Sequence, residues 1–227
     1  MVFTFPVFQL NCQKRSQSAV VLQELTNSAS TFISLIQEPY TYAGGARGLN
    51  RKHNVISALT PKPRAIIYCH RNAFVWPVPA LCSRDISVAI WDTRTRFGCV
   101  LLVSWYWDYT EKCLPAALTA IVQFAEERGY PLWFSADSNA HSPMWGCPDL
   151  NARGRQIESF LFAHGLSLLN RGNRPTYRHP RGDQSIIDIT FVSHALVDLV
   201  QDWWVSDEAT SSDHSLVRIQ LHSPPPV

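Results

Sequence analysis

The sequence has no segment that is long and apolar enough to cross a membrane, and its six cysteines form no CxxC pair. The longest uncharged apolar run near mid-chain, 97–107, is shorter than the ~20 residues that span a bilayer. Residues 1–10 are apolar but lack a basic region, so they predict a strand rather than a signal peptide. We therefore expect a protein without membrane contact and with free thiols, in a reducing compartment.

Acidic residues are missing from a long stretch of the chain. None lies between Glu38 and Asp85, where the basic residues are Arg47, Arg51, Lys52, Lys62, Arg64, Arg71 and Arg84. A second run, between Glu158 and Asp183, holds Arg171, Arg174, Arg178 and Arg181. The net charge is only +2, so the chain as a whole is not a polycation. Local basic surfaces of this kind suit a polyanion, because neutralised phosphates release counterions; solvated faces are the alternative.

The hydrophobic fraction of 46% over 227 residues is enough for a large core, and no internal repeat is present. We expect one domain over 1–222 and the start of a Pro-rich linker at 223–227. The pattern predicts strands at 2–11, 32–37, 65–69, 85–91, 99–107, 132–136, 166–169, 186–192, 199–205 and 216–221. Helices are predicted over 16–30, with Ser16 as the cap, over 112–128, capped by Thr110 and ended by Gly129, and over 155–164. Many strands and about three helices indicate two packed sheets with helices outside.

The strongest local motif is Asp137-Ser138-Asn139, which directly follows a predicted buried strand. A carboxylate at a strand end can take a proton from water, and an amide beside it can orient that water. An Asx-turn after a strand is the alternative, and for this tripeptide alone it is the better explanation.

Two further acids and a histidine form the next candidates. Asp213-His214 precedes the last predicted strand, where the pair can bind a metal or set an imidazolium against a phosphoryl oxygen; a polar turn is the alternative. Asp188 lies among isoleucines, and a lone buried carboxylate is costly, so it needs a partner. His214 can be that partner, or an arginine in a structural pair.

Three other polar residues also end predicted strands. Glu38 follows an apolar strand and is the type of oxygen ligand that Mg²⁺ prefers, unless it is merely solvated. Asn11 ends the first strand and could join a metal shell. Tyr106 could bind a phosphate, although core packing is the commoner role of such an aromatic run.

In this order, these strand ends resemble the exonuclease–endonuclease–phosphatase superfamily. Within it, the chain is similar to the apurinic/apyrimidinic-type endonuclease domain of non-LTR retrotransposons. The residues that carry the resemblance are Gln9-Leu10-Asn11, Gln37-Glu38, Ser104-Trp105-Tyr106, Asp137 to Pro143, Ser185 to Asp188, and Ser212-Asp213-His214. The extension Asn139-Ala140-His141-Ser142-Pro143 resembles the arthropod target-specific, TRAS-like clade in particular.

The resemblance implies an α/β fold: a four-layered, DNase-I-like sandwich of two mainly antiparallel sheets flanked by helices. It implies a Mg²⁺-dependent endonuclease, with Mn²⁺ as a substitute ion, that nicks DNA and leaves a 3′-hydroxyl for target-primed reverse transcription. The implied metal residues are Glu38, Asn11 and Asp213. The implied catalytic residues are Asp137, Asn139, His214, Asp188 and Tyr106.

Segment 175–185 resembles the hairpin that relatives place against the DNA minor groove, where arginine suits a narrow groove. An ordinary basic hairpin is the alternative. The residues implied in DNA binding are Thr176, Arg178, His179, Arg181 and Ser185, together with His141. One departure concerns the residues after Asn11: relatives that repair abasic sites have an additional acid there, whereas this chain has Cys12, Gln13 and Lys14. Strong abasic-site specificity is therefore not expected.

The implied partners are double-stranded DNA and a reverse transcriptase domain downstream in the parent polyprotein, and the implied place of action is the nucleus, after synthesis in the cytoplasm. Two alternatives stay open. The first is a phosphoesterase of the same superfamily that acts on lipid or inositol phosphates. The second is a catalytically decayed DNA-binding module.

Overall fold

A computed structural model describes residues 5–222. The predicted Pro-rich linker at 223–227 and the first residues of the predicted strand 2–11 lie outside this range. The helices are α1 (Ser16–Asn27), α2 (Ala117–Arg128) and α3 (Ala152–Ala163). The strands are β1 (Phe5–Asn11), β2 (Ile33–Gln37), β3 (Thr41–Tyr42), β4 (Gly45–Ala46), β5 (Asn54–Ile56), β6 (Ala65–Cys69), β7 (Val75–Pro77), β8 (Ile86–Asp92), β9 (Cys99–Tyr106), β10 (Leu132–Asp137), β11 (Leu166–Leu168), β12 (Tyr177–Arg178), β13 (Gln184–Ser185), β14 (Asp188–Ser193), β15 (Val200–Val205) and β16 (Val217–Leu221). No helix in the described range is long and apolar enough to cross a membrane.

The strands form two six-stranded sheets. The first has the order β15-β16-β1-β2-β6-β5, and the second has the order β11-β14-β10-β9-β8-β7. In each sheet one pair is parallel, β1 with β2 and β9 with β10, and every other pair is antiparallel. The carboxyl ends of both parallel pairs carry the candidate residues of the sequence, which explains why residues far apart in the chain meet.

The layers follow from which face of each sheet is apolar. Ile33, Leu35 and Ile67 of the first sheet pack against Leu102 and Trp133 of the second, and this cluster forms the core between the sheets. The outer face of the first sheet packs on α1, and the outer face of the second packs on α2 and α3. The predicted four-layered sandwich with mainly antiparallel sheets is confirmed.

All three predicted helix starts differ from the structure, and the third helix begins at Ala152 rather than near Arg155. Ser16 is the first helical residue rather than the cap, because the N-cap position is Arg15, whose side chain makes no capping bond. The second helix begins at Ala117, not near Lys112, and Thr110 instead hydrogen-bonds Asp108. Pro115 lies just before the N-cap residue, Ala116, outside the helix. Gly129 ends this helix in the left-handed conformation, as predicted.

Helix α3 lies against the loop that follows β10 with no space for a side chain at Gly154. A Cβ added at Gly154 would stand 1.9 Å from the carbonyl oxygen of His141. The cap residue Asn151 accepts a hydrogen bond from the Gly154 amide and donates its own amide to the same His141 carbonyl. The helix start and the site loop are therefore held as one unit.

We expect Gly154→Ala to lower the free energy of unfolding by about 3 kcal/mol, although alanine normally favours a helix, because the clash is with backbone that cannot yield. Urea denaturation measures the change. The matched control is Gly45→Ala, where the nearest atom to the added Cβ is an arginine tip at 4.0 Å and the φ angle is not positive. Equal effects of the two substitutions would contradict the close approach.

Candidate active site

The candidate residues lie in two rows at one end of the sandwich. In the first sheet, Asn11 is paired with Gln37, and Glu38 follows. In the second sheet, Asp137 is paired with Tyr106 on one side and with Asp188 on the other. The two rows face each other, since the amide nitrogen of Asn11 donates to Asp137 Oδ2 at 2.7 Å.

Polar side chains connect the two sheets just beneath these rows. Gln9 donates to the Ala136 carbonyl at 3.1 Å and accepts from the hydroxyl of Thr190 at 2.9 Å. Gln37 donates to the hydroxyl of Ser104 at 3.0 Å and to the Ser135 carbonyl at 3.1 Å. All of these side chains are fully buried. The sequence motifs included Gln9 and Gln37 but gave them no role; the structure shows that they join the sheets at the site.

Asn11 is held in one orientation by its neighbours. Its oxygen accepts the Gln13 amide at 2.7 Å, and its nitrogen donates to Asp137 and, at 3.4 Å, to Glu38 Oε2. An N–H donor on one side and carboxylates on the other leave one assignment of the amide. The residue expected as a metal ligand therefore presents its nitrogen, not its oxygen, to the carboxylates, and it positions them.

His214 lies between two buried carboxylates. Its Nδ1 is 2.8 Å from Asp188 Oδ2, and its Nε2 is 3.9 Å from Asp137 Oδ2. Burial lowers the pKa of His214, but Asp188, by charge and by hydrogen bond, together with Asp137 and Glu38, outweighs it and raises the pKa. Burial has the opposite effect on the carboxyl of Asp137: it raises the pKa, although the charge of His214 acts to lower it. The predicted pairing of Asp188 with His214, rather than with an arginine, is confirmed.

A cation fits the carboxylates of this network. The second oxygens of Asp137 and Asp188 are buried and have no hydrogen-bond partner among the described residues. Asp137, Asp188 and His214 bring one ligand atom each within 4.8 Å of one another. Carboxylate oxygens are the donors that hard divalent cations take, so this cluster could bind a metal ion.

The two acids expected at the metal, Glu38 and Asp213, are held by basic and amide groups. Lys14 Nζ is 2.6 Å from Glu38 Oε1. Asp213 accepts from Gln13 Nε2 at 2.6 Å and lies 3.4 Å from Arg15. Glu38 is thus next to Asn11 and Asp137, whereas Asp213 is bound to the turn after β1. The turn that departs from the abasic-site pattern places a lysine, not an acid, beside Glu38.

Tyr106 is buried at the end of β9 beneath a guanidinium group. Arg64 lies over its ring, 4.8 Å from the centroid, and pairs with both Asp85 and Asp108. Burial, then Glu38 and Asp137, raise the pKa of Tyr106, so its hydroxyl keeps its proton. The tyrosine can therefore donate a hydrogen bond, which is the state required for binding a phosphate oxygen.

Asn139 stands in the left-handed conformation, with φ of 48°, and its side chain donates to the Trp107 carbonyl at 3.0 Å. The same carbonyl and that of Ser138 accept from Arg153, whose guanidinium lies 3.6 Å from the Trp107 ring centroid. Arg153 thus joins the loops after β9 and β10. No sequence signal marks Arg153, because a lone arginine on a helix belongs to no motif.

The predicted hairpin is present as β12 and β13, with Arg178 and Arg181 exposed and His179 and Ser185 partly buried. It is tied to the site, because the Arg178 amide donates to the Asp213 carbonyl at 2.8 Å and the Tyr177 ring lies 4.9 Å from that of His214. No sequence motif predicted a site role for Tyr177.

Two residues expected to bind DNA have other partners. Thr176 is completely buried, and its hydroxyl accepts from the amides of Ile187 at 3.1 Å and Asp188 at 3.0 Å. It therefore fixes the start of β14 instead of presenting itself to a ligand. His141 is partly exposed and pairs with Asp149 at 3.0 Å.

Comparison with known proteins identifies the family of this chain. A family model described as endonuclease-reverse transcriptase matches residues 100–218, which is more than half of the chain. This chain belongs to the endonuclease-reverse transcriptase family. The match covers Tyr106, Asp137, Asn139, Asp188 and His214. No curated protein sequence matches the chain.

Solved structures agree with the endonuclease-reverse transcriptase assignment. The endonuclease domain of TRAS1, a telomere-specific non-LTR retrotransposon, is 28% identical, has a TM-score of 0.78, and is matched over 96% of this chain and 98% of its own. Two more distant structures share the fold. They are the AP endonuclease LMAP from Leishmania major (11% identity, TM-score 0.71, 97% of this chain and 88% of that one) and the APE2 catalytic domain from Xenopus laevis (12%, 0.64, 98% and 94%). The chain is a nuclease of the endonuclease/exonuclease/phosphatase superfamily, a hydrolytic enzyme that acts on nucleic acid.

Thr176→Val tests the support beneath Asp188. The substitution keeps the shape but removes the acceptor of two buried amides, so we expect a loss of about 1–3 kcal/mol in the free energy of unfolding. The matched control is Thr26→Val, because the equally buried Thr26 only donates, to helix carbonyls of Leu22 and Gln23. A similar small loss in both variants, measured by urea denaturation, would show that the Thr176 hydroxyl does not hold β14.

Proposed function

We propose that this domain is a Mg²⁺-dependent endonuclease that cuts one strand of duplex DNA and leaves a 3′-hydroxyl and a 5′-phosphate. The observation that carries the proposal is the buried Asp137 carboxylate, held by Asn11 on one side and 3.9 Å from the His214 imidazole on the other. At this spacing, a carboxylate that acts as general base can face the attacking water while a protonated imidazole faces a phosphoryl oxygen of the same phosphodiester.

Asp137 accepts the proton of the attacking water in this proposal. Burial favours proton uptake by this carboxylate, since its charged form lacks solvent, and Asn11 holds one of its oxygens in place. Asn139, on the loop fixed by Arg153, orients the water. Positioning of this kind supplies much of the rate enhancement in phosphoryl transfer, where the reacting atoms must be in line.

His214 stabilises the negative charge that develops on the phosphorus oxygens. Asp188 holds its Nδ1 and keeps the ring protonated, so that Nε2 carries a proton toward the site. Tyr106 adds a neutral hydroxyl donor from the neighbouring strand end. These donors are fixed by the fold before the substrate arrives, so they need no reorganisation during the reaction.

Mg²⁺, or Mn²⁺ in its place, would be held by Glu38, with Asn11 beside it and with the unpartnered oxygen of Asp137 available. Asp213 would join the metal only if it left Gln13 and Arg15, which hold it in the turn after β1. When bound, the ion supplies a Lewis acid for the phosphate oxygens. The Lys14 ammonium must leave Glu38 for this, and its side chain is 62% exposed and has room to move.

The exposed arginines beside His214 favour DNA over lipid or inositol phosphates as the substrate. Arg178 and Arg181 extend the positive surface beyond the reacting phosphate, as a duplex requires. The intact network of Asp137, Asp188 and His214 argues against a decayed binding module. The similarity to the TRAS1 endonuclease supports the remaining proposals: the 3′-hydroxyl primes reverse transcription by a downstream polymerase domain, and the reaction takes place in the nucleus.

Plasmid nicking tests the proposed reaction. We expect supercoiled plasmid to become open circles with Mg²⁺ and not with EDTA, and Asp137→Asn and His214→Ala each to slow this by at least about 100-fold, since each removes a proton-transfer or charge-stabilising group. The matched controls are Asp198→Asn and His194→Ala, in the 3-10 helix His194–Leu199 beyond the opposite end of β14. Full activity of a folded Asp137→Asn protein, or activity in EDTA, would refute the mechanism.

The exposed hairpin is proposed to tune target choice. Arg178→Ala combined with Arg181→Ala is expected to redistribute nicks along a random-sequence duplex, because these side chains lie beside the site without taking part in the chemistry. The nicks are mapped by sequencing their 3′ ends. The matched control is Arg155→Ala, an exposed arginine on α3. An unchanged cleavage pattern after replacement of the whole segment 175–185 would exclude this role.

A further inference from the structure

The acid-free run of the sequence is divided between two ends of the first sheet. Strands β2 and β6 are antiparallel, with Ala65 beside Gln37 and Cys69 beside Ile33. Arg64 therefore lies at the catalytic end, where Asp85 and Asp108 neutralise it. His70 lies at the other end, where its amide donates to the Phe32 carbonyl. Six residue steps of a strand separate Phe32 from Glu38, which is about 20 Å.

Positive charge collects at this remote end. His53 and His70 lie with ring centroids 4.8 Å apart, at the paired ends of β5 and β6. Burial and then the charges of His70, Arg71 and Lys52 lower the pKa of His53, which shows that the basic groups are close together. We call this set the remote basic cluster; its members are Arg51, Lys52, His53, His70 and Arg71, and Arg47 lines the adjoining recess from the side of Tyr40.

The remote basic cluster is not neutralised by the protein. In the described range, ion pairs with carboxylates engage the side chains of Lys14, Arg15, Arg64, Arg94, Arg96, Arg128, Arg171, Arg174 and Arg218, but no lysine or arginine of the cluster. Charges that cost folding energy through mutual repulsion, without internal partners, are expected where an external anion binds.

The cluster also contains a recess. A pocket of about 340 Å³ is lined by Arg47, Asn50, Arg51 and His53, among other residues. The Nδ1 atom of His53 is buried and has no hydrogen-bond partner among the described residues. This unpartnered atom is a second observation, separate from the unpaired charges. It lies on a residue that lines the recess, and it indicates a site for a polar ligand.

We propose that the remote basic cluster binds the phosphate backbone of a second, single-stranded nucleic-acid segment while duplex DNA occupies the catalytic end. One duplex could lie across the catalytic edge and also turn about 20 Å along the sheet only by bending sharply, which costs deformation energy that a single strand does not have to meet. A single strand is flexible enough to enter a concave basic pocket, where ring systems such as His53 and His70 offer stacking surfaces. The inference rests on the proposed function only in that a duplex is assigned to the catalytic edge.

Fluorescence anisotropy with a labelled oligothymidylate, and with an oligouridylate of the same length, tests the proposal on the whole chain in EDTA. We expect Arg51→Glu combined with Arg71→Glu to weaken binding of both probes and to reduce the slope of log affinity against log salt by about 1.4, the value for two lost contacts to a single strand. The matched control is Arg128→Glu combined with Arg155→Glu, which makes the same charge change on α2 and α3, outside the second sheet.

Three results would overturn the proposal: no binding of either probe, equal weakening in the two double variants, or complete displacement of the probes by unlabelled duplex. Equal affinity for the two probes supports recognition of the backbone, and preference for oligouridylate supports RNA as the strand. Plasmid nicking by the same variants separates this inference from the proposed function. Nicking is expected to persist in Arg51→Glu/Arg71→Glu, so loss of probe binding with intact nicking identifies a second site.

Discussion

The alignment of the two sheets by buried amide side chains is the constraint on which the site depends. Gln9 and Gln37 each reach across the interface to backbone carbonyls and hydroxyls of the facing sheet. A shift of one sheet by one residue would move the row of Asn11 and Glu38 by about 3.3 Å relative to the row of Asp137 and Asp188. It would also leave several buried donors and acceptors without hydrogen-bond partners. An apolar interface alone would tolerate such a slip, because hydrophobic contact is not directional. The buried side chains of Gln9 and Gln37 therefore hold the two sheets in one register, which gives the candidate site residues one defined arrangement.

The buried ionisable network next to these amide side chains costs folding energy. Three ionisable groups, Asp137, Asp188 and His214, are almost completely buried, and two carboxylate oxygens among them lack partners. Buried charges of this kind are expensive unless they are paired, and only part of this network is paired. A substrate phosphate and a cation would supply what is missing. The unpartnered oxygens of Asp137 and Asp188 are therefore where a cation would gain most, and the hydrogen bonds of Arg153 and Thr176 hold the loops that carry these acids.

The sequence predicted the sheets and the site better than the details that connect them. The apolar strands that lead to Asn11, Glu38, Tyr106 and Asp137 could be predicted, because an apolar run followed by a polar residue can be recognised in the sequence alone. The strand β14 was also foreseen, and with it the pairing of Asp188 to His214. Helix starts were less legible: Ser16 and Thr110 both have capping chemistry, but Arg15 takes the cap position of the first helix and the second starts after Pro115. The roles of Gln9, Gln37, Arg153 and Thr176 could not be predicted, because each depends on partners between 11 and 181 residues away in the chain.

The acid-free run shows why charge along a sequence does not define a surface. Read in one dimension, it is a single basic stretch from Arg47 to Arg84. The antiparallel turn from β5 into β6 sends its residues to opposite ends of one sheet, and two acids that lie outside the run, Asp85 and Asp108, cancel Arg64. Lys62 and Arg84 stay exposed at the catalytic end, but the larger group of basic residues without an ion pair in the described range lies around His53 and His70. A protein that only needed to hold its target would gain nothing from repulsion there. A protein that must hold a second strand about 20 Å from the catalytic end would gain a binding surface from these charges.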